Sequence, residues 1–171
     1  MLKKVILTVF IAFIVFVLAF GYVFSNLKSE SVYYAQYTPH NKQTEPVLME
    51  LALNSDWIYA PDVKGMRYDR DNNRTIYNYN YAKREAPSFG FWASREYEYF
   101  DGDSLIYVFD KKFKFVEVRD SDTYKRVSKK VDLPAVKKDI YRTVQPVIDA
   151  QNDPLINLQW LYDWVNKDRF N

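Results

Sequence analysis

Residues 5–24 constrain this chain more than any other feature: twenty positions without a charge, interrupted only by Thr8, Gly21 and Tyr22. At about 1.5 Å per residue they make roughly 30 Å of helix, the thickness of a bilayer's hydrocarbon core. A single segment in lipid must satisfy its own backbone hydrogen bonds, so it has to be a helix. Residues 1–4 are then a cytoplasmic tail. Lys3 and Lys4 stand before the apolar run, whereas Lys28 after it is offset by Glu30. Lysine holds to the cytoplasmic side, so the N-terminus is expected inside and the rest of the chain outside. A signal peptide is the alternative reading. Ala19-Phe20-Gly21 puts small residues where a signal peptidase reads, but the apolar run continues through Tyr22-Val23-Phe24, which favours a retained signal-anchor helix over cleavage after Gly21.

Cysteine is absent from the chain. An exported domain of this sequence has no disulfide and no thiol nucleophile, and must be held by its core. Aromatic residues make up 18% of the chain, which supplies large buried area per residue. The 24 Lys and Arg include Lys3 and Lys4, leaving 22 in residues 25–171 against 22 Asp and Glu. A balanced domain without a basic block has no electrostatic reason to bind nucleic acid or an anionic membrane surface. The richness in Phe, Tyr, Ile, Asn and Lys fits an AT-rich genome and, with the double-lysine start, a bacterial envelope protein.

Residues 25–45 read as a stalk or linker, with a candidate first strand at residues 32–37. The domain proper is expected over residues 46–171. Pro46 belongs in the first turn of a short helix capped by Thr44 or Glu45, with Val47, Leu48 and Leu51 on its apolar face and Trp57-Ile58-Tyr59 beyond it. Residues 66–119 alternate as strands do: Tyr77, Tyr79 and Tyr81 with Asn78 and Asn80, and Tyr97 and Tyr99 with Glu96 and Glu98. Asp101-Gly102 marks a hairpin turn. Residues 105–109 are apolar on both faces and are expected as the central strand. In residues 113–118 the apolar set slips from Phe113 and Phe115 to Val116 and Val118, which predicts a bulge near Phe115. Asp132 and Pro134 open a helix with Leu133, Val136, Ile140, Val144, Val147 and Ile148 on one face, kinked at Pro146. A last helix follows Asn152-Asp153-Pro154, with Leu155, Leu158, Tyr162 and Val165 on one face and Ile156, Trp160 and Trp164 broadening it. The fold class is α+β: a transmembrane helix, then an antiparallel meander of about five strands with C-terminal helices packed on one face.

The chemistry on offer is sparse. His40 is the only histidine, so no Ser-His or Cys-His pair and no ordinary zinc set is expected, and neither catalytic residues nor a cofactor are assigned. Glu96, Glu98, Asp101 and Asp103 are the carboxylates a glycan hydrolase would need, although the first two read as a solvated sheet face. Asp69, Asp71 and Asn73 space oxygen donors as the first, third and fifth positions of a calcium loop do. The pattern then breaks, because Arg74 replaces its glycine and Asn80 its bidentate glutamate; a polar hairpin turn accounts for the run. Asn73-Arg74-Thr75 is also a glycosylation sequon.

Two aromatic groups remain as binding candidates. Tyr77, Tyr79, Tyr81, Tyr97 and Tyr99 would form a cross-strand ladder, either exposed as a sugar- or protein-binding surface or packed as core. Trp160 and Trp164, one helical turn apart, would either pack inward or line a partner groove. Together these readings lead to a membrane-anchored, extracytoplasmic protein-binding module, an accessory subunit of a bacterial envelope assembly. An immunity or inhibitor protein against a toxin acting outside the inner membrane, and a carboxylate-dependent glycan hydrolase or glycan-binding protein, are the alternatives.

Overall fold

The computed structural model describes residues 2–55, 63–69, 74–92 and 95–171. The expectations for Trp57-Ile58-Tyr59, Asp71 and Asn73 fall outside them. The chain is α+β. Helix α1 spans Leu2–Ser29, α2 Ser31–Tyr37 and α3 Pro46–Leu53. Among the described residues six strands follow, β1 Met66–Asp69, β2 Thr75–Asn78, β3 Ser88–Phe91, β4 Tyr97–Phe100, β5 Leu105–Phe109 and β6 Phe115–Asp120. Helices α4, Leu133–Asp149, and α5, Gln159–Phe170, end the chain.

Helix α1 is long and apolar enough to cross a membrane, and no part of that apolar window is buried by the protein. Its hydroxyl at Thr8 donates to the Lys4 carbonyl at 3.0 Å, so that polar group is satisfied inside the helix.

Residues 32–37 form helix, not the expected strand. Ser31, Tyr34, Ala35 and Thr38 are all buried and repeat at i, i+3, i+4 and i+7, a helical stripe. The helical ladder carries across the junction with α1, through Glu30 N–H to the Asn26 carbonyl and Tyr34 N–H to the Glu30 carbonyl, both 3.0 Å. Pro39 then holds Thr38 extended and stops the helix. Val32 and Tyr34 belong to the main core, so the segment read as stalk carries core residues.

The sheet is a pure antiparallel meander, ordered β1-β2-β3-β4-β5-β6. Its register aligns Ile76, Phe89, Tyr99, Tyr107 and Val118 on one face, with Phe91, Tyr97, Phe109 and Phe115 beside them. Alternation puts these side chains on the same side, and α3 and α4 cover them. The shared core joins Leu48, Met49 and Leu51 of α3 to Val136, Ile140, Val144 and Val147 of α4. Strand β5 is paired on both sides but stands second from the edge, since β6 continues the meander beyond it. The predicted bulge is present: Phe109 pairs with Phe115 and Val108 with Glu117, leaving Val116 as the extra, exposed residue.

Helices α2 and α5 pack behind α3. A buried ion pair joins the layers, with Arg169 of α5 donating to Glu50 of α3, whose other oxygen accepts from Asn54. Glu45, at the start of α3, takes Lys137 at 2.7 Å and the Tyr141 hydroxyl at 2.9 Å, both from α4.

Candidate functional site

The face of the sheet away from α3 and α4 carries a carboxylate cluster built by strand register. Glu98 of β4 and Glu117 of β6 both align with Val108, and Arg119 lies two residues along β6 from Glu117, on the same face. Its guanidinium donates to Glu98 at 3.0 Å and to Glu117 at 2.7 Å, and stands 3.6 Å from Glu96. The Tyr124 hydroxyl donates to the second Glu98 oxygen at 2.7 Å, and the Arg119 guanidinium lies over the Tyr124 ring. Glu98 is only 6% exposed, which corrects its reading as part of a solvated face. The chain after β6 doubles back, bridging Arg126 to Arg119 and Val127 N–H to the Val118 carbonyl, and so covers the cluster. Burial pushes the Glu98 carboxyl above its usual range, while the Tyr124 hydrogen bond and Arg119 pull it down. A small recess beside it, about 50 Å³, is lined by Thr75, Tyr77, Trp92 and Phe100 among others.

The other sequence-nominated carboxylates do not join it. Asp101 Oδ1 accepts the backbone N–H groups of Asp103, Ser104 and Leu105 and so builds the β4–β5 turn. Asp103 faces solvent, 3.9 Å from Lys83. Both oxygens of Glu98 are engaged within the fold, so the cluster suits holding β4, β6 and the return segment together better than proton transfer to a substrate.

The five tyrosines do not form one ladder. Tyr97 and Tyr99 point into the core and are buried; the Tyr99 hydroxyl donates to Asp139 of α4 at 2.5 Å. Tyr77 pairs with Ser88, and Ser88 with Phe100, so it lies on the opposite face. Strand β2 ends before Tyr79, because the Asn78 side chain accepts Asn80 N–H at 2.9 Å and turns the chain. Tyr79 is exposed and Tyr81 lies against Arg142 of α4. At the calcium-like run, Asp69 ends β1 and pairs with Thr75 of β2; Asp71 and Asn73 lie outside the described residues. Among the described residues no cluster of three His, Cys, Asp or Glu side chains could hold a metal ion. His40 is exposed, its Nδ1 2.8 Å from the Thr38 carbonyl.

The last helix departs most from expectation. Tyr162 and Phe170 are its buried residues, with Leu158 packed beside them. Trp160 and Trp164 lie two positions out of phase with Tyr162, about 200° around the helix. They project into solvent, 70% and 74% exposed, and Val165 is exposed beside them. Leu155 and Ile156, expected to extend a packed face, are exposed too. A cleft of about 300 Å³ opens beside Trp164, lined also by Thr38, Pro39, Asp163, Lys167 and Asn171. Helical spacing alone does not separate the two aromatic faces of α5, and nothing in the sequence singles out Arg119, Tyr124 or the exposure of Leu155.

Comparison of the chain with known protein families, with curated proteins and with solved structures gives no match.

Proposed function

We propose that this chain is a single-pass, membrane-anchored module that binds another envelope protein through the outward face of α5. In this reading α1 holds the protein in the inner membrane with its N-terminus in the cytoplasm and its α+β domain on the outer side. The observation that carries it is the exposure of Trp160 and Trp164, one turn apart on α5, with Trp164 lining an open cleft. Two neighbouring tryptophans in water are costly, and tryptophan is enriched among the residues that dominate binding at protein interfaces. Asp163 and Lys167 on the cleft wall add polar contacts at its rim. Tethering in the membrane raises the local concentration of the module near a partner in the same layer, so a small interface suffices. The engagement of both Glu98 oxygens, with Asp101 held in a turn, weighs against the glycan-hydrolase alternative.

A pull-down from detergent-solubilised native membranes tests this. The tag belongs at the N-terminus, because Asn171 lies on the cleft. The full chain should recover a stoichiometric partner, and Trp160→Ala with Trp164→Ala should lose it while melting as the parent does. An unchanged set of captured proteins in the double variant would refute the tryptophan face as the binding surface. An isolated tag without the domain would show that the apolar segment is cleaved.

A further inference from the structure

Leu155 is 93% exposed and Ile156 52% exposed, at the tip of the loop between α4 and α5. This loop is tied to the end of α1. The Ile156 carbonyl accepts from Asn26 Nδ2 at 3.4 Å and lies 3.3 Å from the Tyr34 hydroxyl oxygen. Tyr34 also donates to Asn26 Oδ1 at 2.7 Å and accepts Leu158 N–H at 3.1 Å. Asn26 is buried by these contacts. It lies two residues past Phe24, where the apolar run ends, so the attachment point is about 3 Å along the helix from that end. The headgroup layer on each side of the hydrocarbon is about 5–8 Å thick. The loop is therefore fixed at headgroup depth if α1 spans the bilayer, with Leu155 and Ile156 exposed at its tip. Tyr22, also exposed, stands one helical turn before Asn26, near the end of the apolar run, where an aromatic with a polar tip suits the interface.

We propose that Leu155 and Ile156 rest in the headgroup layer of the membrane that α1 spans, forming a second point of attachment that stops the domain swivelling on its anchor. The proposal depends on α1 being a retained membrane span. It gives the exposed Leu155 a lipid surface to bury against, and it fixes the direction in which Trp160 and Trp164 face.

The chain has no cysteine, so Leu155→Cys offers a single labelling site, and the exposure of that position leaves the core untouched. The full chain, labelled there with an environment-sensitive fluorophore, is reconstituted into vesicles of phosphatidylethanolamine and phosphatidylglycerol. Brominated lipids should quench most of the emission, and aqueous iodide should quench little; Ile156→Cys should behave alike. Emission open to iodide and untouched by brominated lipid, in protein that floats with the vesicles, would overturn the lipid contact and leave the anchor standing. Shielding from iodide without lipid quenching, lost on dilution into excess lipid, would assign the tip to a second copy and overturn the proposal. Protein that fails to float with the vesicles would overturn both the proposal and the anchor.

Discussion

The hydroxyl of Tyr81 donates to the backbone carbonyl of Arg142 at 2.8 Å, and that carbonyl is the one Pro146, four residues on inside α4, cannot reach with an N–H. The Arg142 guanidinium in turn lies 4.5 Å from the centre of the Tyr81 ring. Tyr81 thus replaces a missing helical hydrogen bond. Tyr81→Phe keeps the ring and removes the donor, and should cost about 1 kcal/mol. In a Pro146→Ala background the helix regains its own N–H, and the same change should cost close to nothing. A double-mutant cycle by urea unfolding in mild detergent measures the coupling; equal costs in both backgrounds would contradict the pairing.

Gly102 makes the β4–β5 turn at φ +84°, and a Cβ there would sit 2.7 Å from the Glu85 carbonyl oxygen. Glu85 N–H also donates to the Gly102 carbonyl at 2.8 Å, so the neighbouring loop cannot retreat without losing a bond. Left-handed backbone alone costs a residue with a Cβ about 1–2 kcal/mol. Gly102→Ala should therefore lose roughly 2 kcal/mol or more in the same unfolding experiment.

Arg119 is the common partner of Glu96, Glu98 and Glu117. Arg119→Leu leaves Glu98 buried without its cation and should cost about 3 kcal/mol or more at neutral pH. Glu98→Gln should be far milder, since the amide still accepts from Tyr124 or Arg119. Because burial raises the Glu98 carboxyl above its ordinary 4.5, the folded state binds that proton more tightly than the unfolded chain. This group's contribution to stability consequently grows on acidification, from just above the raised value down to about its ordinary one, and is lost as pH rises through the raised value. Glu98→Gln should abolish that component of the pH profile.

What the sequence disclosed follows from how each face is used. Helix α4 has one wet and one dry side, so Val136, Ile140, Val144, Val147 and Ile148 fall at helical spacing and all are buried. Asp101-Gly102 names its turn, and the shift from Phe113 and Phe115 to Val116 and Val118 names its bulge. Helix α2 is hidden because buried Ser31 and Thr38 look polar, so the buried stripe does not stand out as apolar. Helix α5 is aromatic on opposite sides, so periodicity could not tell packed Tyr162 from exposed Trp160. Glu98 was read as wet because its cover, the return of residues 124–127 over β6, is a tertiary event. Tyr79 and Tyr81 continue a strand pattern that the Asn78 side chain has already ended.

Tyr97, Tyr99, Tyr141 and Tyr162 all have hydroxyls raised above their ordinary value, first by burial. Around Tyr99 and Tyr141 the neighbouring carboxylates Asp139 and Glu45 add to the effect. Tyr97, 2% exposed, moves from 10 to about 12. For each, the folded state keeps the proton longer than the unfolded chain does, so the stabilisation is complete below pH 10 and is lost as pH rises through the folded value. At about 1.36 kcal/mol per unit, Tyr97 alone withdraws on the order of 3 kcal/mol between pH 10 and about 12. The domain should therefore unfold cooperatively in that window, with tyrosinate absorbance rising in one steep step that coincides with loss of the folded fluorescence. Tyr97→Phe should move that step to higher pH. A gradual tyrosinate rise beginning near pH 10 with the fold intact would show that these hydroxyls are reached by solvent.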